Sequence, residues 1–89
     1  MMVLIPAYEP NERLIELING LKAMCNYNIV IVNDGSGEAY NNIFTRAKDI
    51  GCTVLNHKIN KGKGQALKTG FNYIKETTEK EGVVCADCD

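Results

Sequence analysis

The stretch NIVIVN, residues 28–33, constrains this chain more than any other. Its middle is apolar with no polar alternation, the pattern of a strand covered on both faces. Such strands belong in parallel sheets with helices above and below, so the remaining sequence must supply those helices. Residues 2–5 form a short apolar run stopped by Pro6, and Asn11 is placed to cap a helix in which Leu14, Ile15, Leu17, Ile18 and Leu21 recur at helical spacing. A second helix is predicted over about residues 38–49 through Tyr40, Ile43, Phe44 and Ala47, with Gly51 ending it. A third strand follows at residues 52–55. A third helix is predicted over about residues 65–80, with Ala66, Leu67, Gly70, Phe71 and Ile74 on one side, and residues 83–86 read as a fourth strand.

This order, β-α-β-α-β-α-β with short connections, predicts an α/β fold: a three-layer, Rossmann-like arrangement around a mostly parallel four-stranded sheet with right-handed crossovers. Eighty-nine residues allow one small domain, spanning residues 1–89. Apolar residues at 45% and charged residues at 24% fit a folded soluble domain, and no apolar run approaches the roughly 20 residues that cross a bilayer. The amino terminus carries no secretory pattern, so a cytoplasmic location is expected. A net charge of −1 gives no general attraction to nucleic acid, and four cysteines in such a chain are expected as reduced thiols.

In an open parallel sheet, ligands bind beyond the carboxyl ends of the strands, where the strand order reverses. The segments expected there are PAYEP, NDGSG, the loop after Leu55, and DCD. Asp34 leaves the buried strand where a carboxylate could accept from the N–H or hydroxyl groups of a ligand; the same Asp-Gly-Ser run also suits a plain capping turn. Tyr8 follows the first strand, where its ring could pack on a base. Lys58, Lys61, Lys63 and Lys68 put four of the ten basic residues within eleven positions. Gly62-Lys63-Gly64 precedes a helix, and glycines there let backbone N–H groups approach a phosphate while Lys63 offsets diphosphate charge. The full P-loop spacing is missing, and a dinucleotide fingerprint would follow the first strand rather than the third.

The last seven residues, VVCADCD, hold both Cys85-x-x-Cys88 and Asp87-x-Asp89. Along an extended chain Asp87 and Asp89 share a face at roughly 6.5 to 7 Å, while Cys85 and Cys88 face opposite ways and cannot close on one ion. A zinc site normally needs a second ligand pair, and Cys25, Cys52 and His57 show no paired spacing. The carboxylates suit Mg²⁺ or Mn²⁺, which take oxygen ligands and complete their shell with substrate phosphates.

Together, VLIPAYEP, IVIVNDGS, NKGKGQALKTG and ADCD, in this order and spacing, resemble the inverting family 2 glycosyltransferases, whose nucleotide-sugar-binding fold is called GT-A. The resemblance covers the whole chain and is closest to bacterial members acting on lipid carriers or cell-surface polymers. It implies a nucleotide-sugar donor of UDP type, a divalent metal, Mg²⁺ or Mn²⁺, and a lipid-linked or polysaccharide acceptor. By position it puts Ala7, Tyr8 and Glu9 at the base and ribose, has Asp34 accept from the base, and sets Lys63 near the nucleotide. Asp87 would contact the ribose side of the donor and Asp89 would bind the metal. No catalytic residue is expected within the chain, because in the family the acceptor site and general base follow this acidic pair. The chain is therefore expected to be a donor-binding part that turns nothing over alone, with uncovered apolar surface favouring self-association, from a parent working at the inner face of the membrane. Two other readings stand beside it: a sugar-phosphate nucleotidyltransferase-like domain, although PAYEP lacks that group's glycine-rich signature, and a non-catalytic assembly module binding zinc through Cys85 and Cys88.

Overall fold

The computed structural model describes residues 2–24 and 28–77 in full and residues 83–85 in backbone only. Strand β1 (Met2–Ala7) is buried along its whole length, and β2 (Asn28–Asp34) is buried from its second residue on. The unbroken apolar runs follow from this, because each strand has a helical layer on either side. The strands pair in parallel, with Leu4 opposite Val30 and Ile5 opposite Ile31. Alternation then sorts the side chains: Val3, Ile5, Ala7, Ile29 and Ile31 point into one core, and Met2, Leu4, Val30 and Val32 into the other.

Helix α1 (Glu12–Met24) begins where Asn11 Oδ1 accepts from the Arg13 N–H at 2.9 Å, as the capping reading predicts. It buries Leu14, Ile15 and Ile18 in the first core, beside Phe44 and Ala47 of α2 (Asn41–Ile50). The exposed guanidinium of Arg46 grips both carboxylate oxygens of Glu12, linking α2 to α1, though solvent screens that pair. Residues 38–40, predicted as the start of α2, are instead a separate 3-10 turn, Glu38–Tyr40. Its bond from the Tyr40 N–H to the Gly37 carbonyl spans three residues, and no side chain caps the turn. Gly51 ends α2 as expected, at φ 111°, with its N–H on the carbonyls of Ala47 and Lys48.

Strand β3 (Thr53–His57) runs two residues beyond the predicted end, because Asn56 and His57 stay in register with Asn33 and Asp34. Helix α3 (Lys63–Thr77) starts two residues earlier than predicted and packs Ala66, Gly70 and Ile74 on the second core. Phe71 departs from the predicted apolar face and is 43% exposed. It lies about 100° around the helix from Gly70, at the margin of the packed stripe. Strand β4 (Val83–Cys85) pairs with β1, completing the parallel order β3-β2-β1-β4. The chain steps outward from β1 to β3, then returns across the sheet to the far side of β1. That reversal puts α3 on the face opposite α1 and α2, and it makes the carboxyl end of β1 the place where a ligand crevice opens.

Candidate functional site

A cleft of about 220 Å³ lies there, lined by Pro6, Ala7 and Tyr8 from the end of β1, Asp34 from the end of β2, Asn60 from the β3–α3 connection, and Lys63 and Ala66 from the start of α3. Three segments remote in sequence meet because they leave three parallel strands or helices at the same end of the sheet. Tyr8 is 52% exposed and lines the cleft. The neighbouring Glu9 carboxylate, more than burial, raises the Tyr8 hydroxyl above the usual tyrosine pKa, so at neutral pH it is an uncharged donor. Glu9 has φ 47° and gives its N–H to the buried Ser36 hydroxyl at 2.9 Å, which fixes the β1 loop to the β2 loop. Ser36 in turn gives its own N–H to Asn33 Oδ1, and Asn33 Nδ2 donates to Asn56 Oδ1, both at 3.0 Å.

Asp34 is the hub, with 3% of its surface exposed. Its Oδ1 accepts from the Lys61 N–H at 2.9 Å and from His57 Nδ1 at 2.7 Å, and its Oδ2 accepts from the Gly62 N–H at 2.9 Å. Asn60 Nδ2 donates to the Asp34 carbonyl at 3.3 Å. Burial alone would push this carboxyl up; the His57 contact and the two backbone N–H groups outweigh it and hold the group below the ordinary aspartate value. The carboxylate is therefore ionised at neutral pH. Of the four lone-pair directions a carboxylate offers, the His57, Lys61 and Gly62 donors fill three among the described residues.

This arrangement bears on one expectation. Of the Gly62-Lys63-Gly64 run predicted to approach a phosphate, the Gly62 N–H is turned, with that of Lys61, onto Asp34, a fixed anion already at the helix end. Gly35 permits the approach: it has φ 70°, and a Cβ there would run into the backbone of Ile59 and Asn60. Positive charge for a phosphate is nonetheless at hand. Between Asp49 and Glu76 the sequence has five lysines and no acidic residue, and Lys63 stands at the cleft itself.

The sequence profile of glycosyl transferase family 2 matches residues 2–89. The chain belongs to glycosyl transferase family 2. Over 71 residues it is 37% identical to a Methanocaldococcus jannaschii protein named "Uncharacterized protein MJ1222", a stretch that is 80% of this chain and 28% of that one. The chain thus spans less than a third of that relative's length.

In this family 2 domain the cleft brings together Ala7, Tyr8, Asp34 and Lys63 of the predicted site. Glu9 sits one residue from the lining and enters through its contacts with Tyr8 and Ser36. Asp87 and Asp89, the latter expected as the metal ligand, lie outside the described residues, as does Cys88. Among the described residues no cluster of three His, Cys, Asp or Glu side chains could hold a metal ion. Cys52, a free thiol in the first core, is pushed up in pKa by burial and plays no part in the cleft. No helix of the described chain is long and apolar enough to cross a membrane.

Two residues of the site escape a reading of the sequence. His57 closes a chain of contacts, Asp34 Oδ1 to His57 Nδ1 and His57 Nε2 to Thr69 Oγ1 at 2.8 Å, that ties β2, β3 and α3 together. A lone histidine at the end of a strand carries no motif, and only the β2–β3 register, with Asp34 opposite His57, brings it to the carboxylate. Thr69 is likewise an ordinary helix residue until the fold aims it at the ring.

Proposed function

We propose that this chain is the donor-binding part of a glycosyltransferase that moves a sugar from a nucleoside-diphosphate sugar, of UDP type, to a lipid-carrier or cell-surface glycan acceptor. The observation that carries this reading is the convergence of Ala7, Tyr8, Asp34 and Lys63 on one cleft at the reversal point of the sheet. Three of them supply contacts that a nucleotide needs. The Tyr8 ring offers a flat apolar face to a base, the Asp34 carboxylate can accept from a base N–H, and Lys63 offsets diphosphate charge.

Sugar transfer also needs a group that takes the proton of the acceptor hydroxyl. Asp34 is the carboxylate in the cleft lining, and it is buried, ionised and committed to three N–H donors, so it serves recognition rather than proton abstraction. Donor binding is accordingly the activity proposed for these residues, and turnover is assigned to a longer protein. In that reading Asp87 meets the ribose side of the donor and Asp89 holds Mg²⁺ or Mn²⁺; when bound, such an ion stabilises negative charge on a departing diphosphate.

Isothermal calorimetry tests the reading. UDP is expected to give a saturable heat at ligand concentrations up to the millimolar range, tightened by Mn²⁺. A folded sample that takes up no UDP at millimolar ligand, with or without Mn²⁺, would contradict it.

A further inference from the structure

A second hollow, of about 610 Å³, lies between β3 and α3 and shares no lining residue with the nucleotide cleft. Its size falls within the ~300–1,000 Å³ of small-molecule sites. We infer that this groove is a binding site for a neutral saccharide chain, separate from the cleft. The inference goes beyond the donor-binding reading and does not depend on where the nucleotide sits.

The groove has two walls. One is β3, the outermost strand in the order β3-β2-β1-β4, whose outer main-chain groups meet no further strand among the described residues. It contributes Leu55 and Asn56. The other wall is α3, which contributes Thr69, Asn72, Tyr73 and Glu76, spaced i, i+3, i+4 and i+7 and so on one face of the helix. This face is distinct from the Ala66, Gly70 and Ile74 positions that pack on the second core.

Two of the polar groups are held in place from inside the fold. The Ser36 N–H on Asn33 Oδ1 orients the Asn33 amide, whose Nδ2 donates to Asn56 Oδ1 at 3.0 Å. The oxygen of Asn56 is thus occupied, and its N–H₂ makes no bond among the described residues. Thr69 Oγ1 is held by His57 Nε2 at 2.8 Å. Asn72 and Glu76 are exposed, with no side-chain partner among the described residues.

The lining therefore mixes amide donors and acceptors, hydroxyls and a carboxylate with the apolar surfaces of Leu55 and Tyr73. A sugar hydroxyl both donates and accepts, so it pairs with every polar group in that set and with the main chain of a strand edge. The C–H face of a sugar ring covers the apolar part. Glu76 is the charged residue of the lining and no basic residue stands there, so a phosphate meets repulsion rather than attraction. A peptide strand added to the β3 edge would satisfy the main chain, but its side chains would displace water from Asn72 and Glu76 without replacing those hydrogen bonds.

The experiment is an NMR titration of the chain with maltotetraose and cellotetraose in the millimolar range. Glycerol at equal hydroxyl concentration and a lysine-flanked peptide of alternating threonine and valine serve as comparisons. Saturable amide shifts are expected at Leu55, Asn56, Thr69, Asn72, Tyr73 and Glu76 with at least one saccharide. Asn72→Ala and Glu76→Ala should each weaken that binding about fivefold, the loss of one hydrogen bond. Both sites are exposed on a helix that alanine favours, so the variants should fold, which circular dichroism checks. No saturable shift with either saccharide, an equal response to glycerol, a response to the peptide alone, or saccharide shifts confined to Ala7, Tyr8 and Asp34 would each overturn the inference. None of these results bears on UDP binding, and a failure of UDP to bind would contradict the donor-binding reading while leaving the groove untouched.

Discussion

Asp34→Ala is expected to remove about 3–5 kcal/mol of stability, because it strands the part-buried N–H groups of Lys61 and Gly62 and the Nδ1–H of His57. A chain of 89 residues has roughly 4–13 kcal/mol in total, so this is a large share. Urea denaturation at pH 7 measures it directly. Asp34→Asn keeps an oxygen acceptor but turns an N–H₂ toward donors, and should fall between alanine and wild type. The dependence on pH has a definite sign. The folded carboxyl titrates below its unfolded value, so Asp34 contributes its full stabilisation above about pH 4–5 and loses it as the pH falls through the folded pKa. The gap between wild type and Asp34→Asn should therefore narrow on acidification. A gap that stays constant to pH 3 would mean that the carboxylate charge is not what holds the loop.

Gly35→Ala is expected to cost more than about 3 kcal/mol, through two separate effects. At φ 70° a Cβ carries a backbone penalty of about 1–2 kcal/mol, and here it also meets the main chain of Ile59 and Asn60. Main-chain atoms cannot swing aside. To make room, the segment must back away from β2, which loosens the Lys61 and Gly62 bonds to Asp34. Gly37 supplies the control. It has φ 85° with open space where its Cβ would stand, so Gly37→Ala should cost only the backbone part, about 1–2 kcal/mol. Thermal melts of the pair separate close approach from backbone strain; equal losses would show that the contact between Gly35 and the 59–60 backbone does not matter.

These two positions also mark how far the sequence could be read. The strand at residues 28–33, the helical spacings of α1 and α3, and the placement of Asp34 and Tyr8 at strand ends follow from local pattern, because burial on two faces and capping leave a direct trace in residue order. What Asp34 does there does not. Its partners are 23 to 28 residues away, and they reach it only through the β2–β3 register and the close passage of Gly35. The Gly62 N–H, part of the run read as approaching a phosphate, shows the same limit: it looks open until a distant carboxylate is seen to fill it. Phe71 shows the smaller limit of periodicity. It is one residue from the buried Gly70, and a rotation of about 100° carries it out of the core.

The central claim is that the cleft between β1, β2 and the start of α3 binds the nucleotide part of a sugar donor. Backbone amide shifts followed by NMR during a UDP titration test it most directly. The account predicts that the largest saturable shifts fall on Ala7, Tyr8, Asp34, Asn60 and Lys63, with Phe71 and the outer face of α1 unmoved. Saturable shifts concentrated away from those residues, or none at millimolar UDP, would contradict it.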